Sequence, residues 1–266
     1  MPAAAANRVA RVSPPSSMLR AIIFDVDGTL ADTEEVHRQA FNATFRECGL
    51  DWFWSPADYR RLLAISGGRE RMTRYALENP LPNRAEGLTP ANIAEIHRLK
   101  TARYAALLEA GRVPLRPGVA RLLREARDGG VRLAIATSSA RSNLETLLDL
   151  NLEPGWRDWF DVIESSDTTH EKKPSPAVYR AVLAGLALAA EDCIAVEDTC
   201  NGLRAARAAN LCTVITTHRY TRDERFPGAA LVVDGLGEPG HPPRLLQGSL
   251  HDEPCVNLAL LRSLLA

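Results

Sequence analysis

Cysteine is scarce in this chain. There are five among 266 residues, at positions 48, 193, 200, 212 and 255, odd in number and without a C-x-x-C pair. That pattern excludes a disulfide framework or a zinc cluster and fits a reducing, cytoplasmic setting. No apolar run approaches the ~18–20 residues that span a bilayer. Excess charge of one sign is missing too. The 32 Lys+Arg against 33 Asp+Glu leave a net charge of −1. Neither nucleic acid nor a membrane surface is therefore an expected partner, and an anionic ligand has to be held by local positive charge. What the chain does have is 45% hydrophobic residues, enough for a buried core in one large domain or two small ones.

Residues 1–17 are rich in Ala, Arg, Pro and Ser and contain no acid. They read as a disordered extension ahead of a second candidate start at Met18, with a basic transit peptide as the other reading. Short apolar runs at 19–24 (LRAIIF), 131–136, 193–196, 211–216 and 231–233 have buried-strand character. Helical spacing lies between most of them: 117–128 stopping at Gly129 and Gly130, 176–188 with Ser175 as N-cap and Pro176 first in the helix, and 201–209 ending at Asn210. This alternation predicts an α/β fold with a parallel sheet covered on both faces.

Residues 36–110 differ. They predict helices at 36–48, 55–64, 69–78 and 89–110, a loop at 79–90, and a small core around Trp52, Phe53, Trp54 and Tyr59. The expected organisation is thus an extension (1–17), a core domain (18–35 and 111–247), a helical insertion (36–110) and a tail (248–266) with no assigned role.

In open parallel sheets, functional groups collect at the carboxyl ends of strands, and four such ends carry polar residues. Asp25 and Asp27 stand in D-V-D-G-T. One carboxylate can attack phosphorus, and a second, two residues on, can move the proton; a plain loop cap or a calcium-like site is the blander reading. Thr137, Ser138 and Ser139 offer a hydroxyl and backbone N–H groups to a phosphate, though Ser/Thr there is often only a cap. Of Lys172 and Lys173, the latter directly precedes a proline and is the better candidate to neutralise phosphate. Glu197 and Asp198 offer hard oxygen ligands to Mg²⁺, or form an ordinary acidic loop.

In this order the motifs resemble the haloacid dehalogenase-like (HAD) phosphohydrolases, in the subgroup with a helical cap after the first strand that includes β-phosphoglucomutase. The stretches FDVDGTLADTEEVH, DWFW, SGGRER, EKKPSPAVYR and EDTCNGLRAA are similar to the CbbY proteins. The resemblance covers residues 18–237. It implies a Rossmann-like core with the 36–110 insertion as cap. It implies Asp25 as nucleophile, Asp27 as general acid/base, Thr137 as phosphate-binding hydroxyl with the Ser138 N–H beside it, and Lys173 as bridging cation. Asp198 would ligate Mg²⁺, supported by Glu197, together with Asp25 and the Asp27 main-chain carbonyl. The CbbY likeness implies hydrolysis of the 1-phosphate of xylulose-1,5-bisphosphate, an inhibitor of rubisco.

In the insertion, Gly67, Gly68, Arg69, Glu70 and Arg71 form a turn into a cationic helix start whose two arginines suit a second, non-reacting phosphate. Ordinary helix-surface arginines are the alternative. Glu34 and His37 could face the same cleft and bind sugar hydroxyls, with a packed core histidine as the other reading of His37; His97 and Lys100 form a further i, i+3 pair. The expected partner is a small phosphorylated sugar and the expected state a monomer. Three other functions are compatible: a phosphomutase on the same scaffold, a signalling receiver phosphorylated on Asp25, and a non-catalytic sugar-phosphate binder. The extra helical block argues against a receiver, and phosphate release separates hydrolase from mutase.

Overall fold

The computed structural model describes residues 18–80, 88–111 and 113–266. The extension expected over 1–17 and residues 81–87 of the expected loop lie outside them. The described strands are β1 (Ala21–Phe24), β2 (Arg132–Ala136), β3 (Val162–Glu164), β4 (Cys193–Glu197), β5 (Cys212–Thr216), β6 (Leu231–Val233) and β7 (Leu245–Gln247). They form one sheet in the order β3-β2-β1-β4-β5-β6-β7. All neighbours are parallel except β6 and β7. The sequence predicts five of these strands. β3 and β7 escape it because each is a three-residue edge strand, half-buried or exposed, with no sustained apolar run to announce it. The antiparallel β7 is the one departure from the expected parallel sheet.

Side chains alternate across a strand. Ile22, Phe24, Leu133, Ile135, Ile194 and Val196 pack on one face against α5 (Val119–Asp128), α6 (Arg141–Asn151) and α9 (Leu258–Ser263). Ala21, Ile23, Ala134, Ala136, Cys193 and Ala195 pack on the other, against α7 (Ala177–Leu186) and α8 (Cys200–Ala208). Both faces are covered, which is why the central strands read as unbroken apolar runs. Several boundaries shift, the first helix beginning at Glu34 and α5 at Val119 among them. Helix α7 starts at Ala177, with Pro176 as its cap residue, and Ser175 Oγ accepts from Ala177 N at 3.3 Å. The segment expected as a tail is tied down: Val256, Leu258, Leu260 and Leu261 are buried, and Asn257 caps α9 by accepting from Leu260 N.

Between β1 and α5 lie α1 (Glu34–Glu47), α2 (Pro56–Leu62), α3 (Gly68–Glu78) and α4 (Pro90–Gly111). The Ser55–Asp58 capping box and Pro56 start α2. These helices share an apolar cluster of their own, built on Phe41, Phe45, Trp52, Trp54, Tyr59, Leu62 and Met72. Phe53 is not part of it: it is 62% exposed, because neighbouring side chains in this non-helical stretch project to opposite sides.

β2 and β3 lie on one side of β1 and the remaining strands on the other. The chain order therefore switches between β1 and β4, and a crevice opens at their carboxyl ends. Asp25 directly follows β1, and Asp198 directly follows β4.

Trp54→Ala is expected to cost about 3–5 kcal/mol of stability through the cavity it leaves, whereas Phe53→Ala should stay within about 0.5 kcal/mol. Urea denaturation of the two variants checks this.

Candidate active site

Asp25 N–H bonds to Val196 O at 3.0 Å, which registers the residue against β4. Its carboxylate meets the ammonium of Lys173, with Nζ 2.6 Å from Asp25 Oδ1 and 2.8 Å from the Ala136 carbonyl. The same ammonium donates to Glu197 Oε1. Burial works against the Lys173 charge, but Asp25 and Glu197 outweigh it and hold the ammonium above the ordinary lysine range. Burial pushes the Asp25 carboxyl up, Lys173 pulls it back, and Glu197 and Asp198 push it up again. Lys173 therefore stays charged inside a cluster of acids. Glu197 also accepts from the Tyr179 hydroxyl at 2.7 Å and from Asp198 N at 3.1 Å. At the end of β2, Thr137 N bonds to Glu164 O, and Thr137 Oγ1 accepts from Ser139 N at 3.0 Å.

Asp198 is buried and receives His218 Nε2 on Oδ2 at 2.8 Å and, more loosely, Thr29 Oγ1 on Oδ1 at 3.4 Å. Burial raises its carboxyl to about 6, against the pull of His218. His218 follows β5. Burial opposes its charge, but hydrogen bonds to Asp198 and Asp32 raise it to about 10. Carboxylate oxygens of Asp25, Glu197 and Asp198 lie within 4.8 Å of one another. Such an all-oxygen, acid-rich set could hold a hard divalent cation, which would relieve the mutual repulsion of these acids.

On the insertion side, Thr33 stands at the N-cap of α1 but makes no side-chain cap bond. Its hydroxyl donates instead to Asp27 Oδ1 at 2.6 Å. His37 Nε2 reaches the same oxygen at 3.0 Å, and Lys100 Nζ lies 2.5 Å from His37 Nδ1. A lysine ammonium can only donate, so with Lys100 charged Nδ1 accepts, and the ring proton sits on Nε2 and points at Asp27. Tyr104 stacks on the imidazole at 3.9 Å. Burial opposes the Asp27 charge, yet His37 and Thr33 hold the carboxyl well below its usual range. Burial and then Lys100 lower the His37 imidazole, against the pull of Asp27.

Glu34 accepts from the Tyr59 hydroxyl at 2.6 Å, which in turn accepts from Arg71 Nη1 at 3.1 Å; Arg71 Nε donates to Ile65 O. Gly67 has φ +94°, and a Cβ on Gly68 would lie 2.6 Å from His97 Nε2. The double glycine thus lets the start of α3 lie against α4. Burial, with Lys100 and Arg69 nearby, drops His97 to about 3.

These groups line one cleft of about 720 Å³. It collects Asp25, Asp27, Thr137, Ser138, Ser139, Lys173 and Asp198 from the sheet, and Glu34, His37, Gly67, Gly68, Arg69, Glu70, Arg71, His97 and Lys100 from the insertion. Of the residues singled out in the sequence, only Glu197 does not line it, since it lies behind Lys173. The sequence reading passes over Asn143 and Arg98 in the lining, the Tyr179 hydroxyl behind Glu197, and His218. His218 alone had a signal, since it stands just past the apolar run of β5. Ser138 Oγ and Asn143 Oδ1 are buried without a hydrogen-bond partner among the described residues. Both are polar atoms on the wall of the cleft that a polar ligand would satisfy.

A sequence profile described as "haloacid dehalogenase-like hydrolase" matches residues 19–210. The chain belongs to the haloacid dehalogenase-like hydrolases. Within them it belongs with the CbbY proteins. It is 48% identical to the plasmid CbbY of Cupriavidus necator, over 92% of this chain and 96% of that one. The crystal structure of CbbY from Rhodobacter sphaeroides in complex with phosphate is 46% identical over 84% of this chain and 97% of that one, with a TM-score of 0.76. A further crystal structure of a variant of that protein holds xylulose-(1,5)bisphosphate, with a TM-score of 0.77. The β-phosphoglucomutase of Clostridium difficile, at 24% identity and a TM-score of 0.67, shares the fold. As a HAD-like hydrolase of the CbbY group, the chain is a phosphatase acting on phosphate esters.

Lys100 supplies a pH test of the insertion side of this hydrolase. Burial lowers its ammonium to about 7, though Asp27 draws it back upward. Between that value and the ordinary lysine range, the unfolded chain holds a proton that the folded one lacks, so stability rises with pH in that window. Lys100→Met removes the effect. In urea melts without metal or phosphate, the variant's stability relative to the parent should fall as pH rises from about 7 to about 10. A difference that stays flat across that window would mean that Lys100 keeps its charge.

Proposed function

We propose that this phosphatase is a Mg²⁺-dependent sugar-bisphosphate phosphatase that removes the 1-phosphate of xylulose-1,5-bisphosphate by way of a phosphoryl group carried on Asp25, and so keeps an inhibitor from rubisco. The observation that carries the reading is the convergence of Asp25, Lys173 and Asp198 at the sheet end of a cleft whose other wall carries Arg69, Arg71 and Lys100. Two poles in one cleft suit a ligand with two phosphates. The bisphosphate bound to the Rhodobacter sphaeroides relative supports this choice of substrate.

In the first step an Asp25 carboxylate oxygen forms a bond to phosphorus as the bond from phosphorus to the sugar oxygen breaks, and the sugar oxygen takes a proton from Asp27. In the second step a water gives its proton to the Asp27 carboxylate, its oxygen bonds to phosphorus, and phosphate leaves Asp25. Asp27 needs a proton to begin. The Lys100–His37 line stands ready to supply it, Nζ giving one to Nδ1 as Nε2 gives one to Asp27. Lys173, the Thr137 hydroxyl and the Ser138 N–H bind the reacting phosphoryl oxygens. Asp25, Asp198 and the Asp27 main-chain carbonyl would hold Mg²⁺, with Glu197 behind them, and the ion would neutralise charge on those oxygens. Glu34 and His97 face the sugar hydroxyls; His37, expected beside them, has both ring nitrogens taken by Asp27 and Lys100 instead. Arg69 and Arg71, with the N–H groups of the Gly67–Gly68 turn and Glu70 beside them, take the distal phosphate, with Ser139 on the facing wall.

With Mg²⁺, xylulose-1,5-bisphosphate should yield one phosphate and xylulose 5-phosphate. Chelation should stop the reaction, and Asp25→Asn should lower phosphate release by roughly 10³-fold or more while leaving the circular dichroism spectrum intact. A screen of sugar mono- and bisphosphates with and without Mg²⁺ tests the whole reading; release of an isomerised sugar phosphate in place of phosphate would replace it with a mutase. Arg71→Ala should cost about 1.5–3 kcal/mol in kcat/KM for the bisphosphate and far less for a monophosphate, a comparison made in the same assay.

A further inference from the structure

His218 is a firmly held polar residue near the reacting groups to which this mechanism gives no task. It is 7% exposed, and its Nε2 lies 2.8 Å from Asp198 Oδ2. The ring is held from its other side as well. The His218 backbone N–H donates to Thr221 Oγ1 at 3.1 Å, Tyr220 N–H approaches Nδ1 at 3.5 Å, and Asp32 Oδ1 lies 3.5 Å from the same nitrogen. An independent feature marks the pair. Gly28, in the D-V-D-G-T turn, has φ +89°, and a Cβ there would lie 2.3 Å from Asp198 Oδ2 and 2.7 Å from His218 Nε2. The turn that carries Asp25 and Asp27 is therefore shaped around the His218–Asp198 contact, and any side chain at position 28 would break it.

We infer that His218 is a positioning residue for Asp198, its Nε2–H fixing one carboxylate oxygen so that the remaining lone pairs meet a divalent cation in a set direction. The inference rests on the proposed reading of Asp198 as a cation ligand. Thr29 is the other side-chain donor to this carboxylate among the described residues, and at 3.4 Å it is too long to orient the group alone. A hydrogen-bonded partner behind a ligating carboxylate restricts its rotation before the ion arrives, and loss of such partners typically lowers metal affinity by roughly 10–100-fold.

The test is Mg²⁺ binding to the full chain by isothermal titration calorimetry, without substrate, so that it reads the ion rather than turnover. His218→Phe keeps the ring volume and removes the donor, and His218→Asn keeps an amide too short to reach Oδ2; each should weaken Mg²⁺ by roughly 10–100-fold. His218→Gln, whose amide nitrogen can occupy the Nε2 position, should remain within about threefold of the parent, as should Tyr220→Phe, which alters the same segment without touching Asp198. Two variants without a donor that reaches Oδ2 keep the comparison open if one of them fails to fold. Parent-like affinity in His218→Phe or His218→Asn, or an equal loss in Tyr220→Phe, would overturn the role of His218 while leaving the cation site standing. A parent chain that binds no Mg²⁺ would overturn both the cation reading of Asp198 and the inference built on it.

Discussion

The site depends on one buried ammonium. Lys173 Nζ sits among Asp25 Oδ1, Glu197 Oε1 and the Ala136 carbonyl, and so joins the ends of β1, β2 and β4. Without it, carboxylates within 4.8 Å of one another would face a dry interior with too little positive charge. Removing one partner from a buried ion pair costs about 3–5 kcal/mol, because the other charge is left unpaired. Glu197 is held in its turn by the Tyr179 hydroxyl and the Asp198 N–H. No Cβ fits above it at Gly202, where the added atom would lie 1.9 Å from the Glu197 carboxyl. The nucleophile is thus set in place by a cation, and the cation by a second acid that does not line the cleft.

The helical insertion uses the same logic with the opposite outcome. Asp27 lies two residues from Asp25, yet its carboxylate is bonded to Thr33 and His37 at the start of α1, with Lys100 of α4 behind. Thr33 gives up its ordinary capping bond to serve Asp27. Insertion and sheet are also joined outside the cleft. Tyr220 donates to Glu35 at 2.5 Å, Arg60 pairs with Asp223, and Asn201 bonds to the Ala64 carbonyl. Where the chain returns from α4 to the sheet, Arg116 donates to the carbonyls of Gly28, Thr216, Thr217 and Asp234. One half-buried guanidinium thereby ties that crossover to the catalytic turn and to the ends of β5 and β6, so the geometry of the turn is coupled to the path of the insertion.

The central strands were legible because a strand buried on both faces must be apolar throughout, and β1, β2, β4, β5 and β6 all announce themselves that way. β3 and β7 bury too little to leave such a trace. The aromatic triplet at 52–54 shows a finer limit: composition suggested three core residues, and the backbone path turned the middle one to solvent. Among site residues, Asp25, Thr137 and Asp198 were readable as polar groups directly after apolar runs. The tyrosines behind Glu34 and Glu197 were not, since a buried tyrosine looks like any other core aromatic until its hydroxyl finds an acid.

By itself the sequence determined the chemistry at hand: acids, a hydroxyl and a lysine at the ends of parallel strands, and a helical block between the first strand and the rest. Only the tertiary structure decided how those charges pair. Lys173 meets Asp25 across 148 positions, Lys100 meets His37 across 63, and His218 meets Asp198 across 20. Periodicity and motif spacing report which face a residue occupies. The partner of a buried charge is set by which elements pack together, and by the cost of leaving that charge alone.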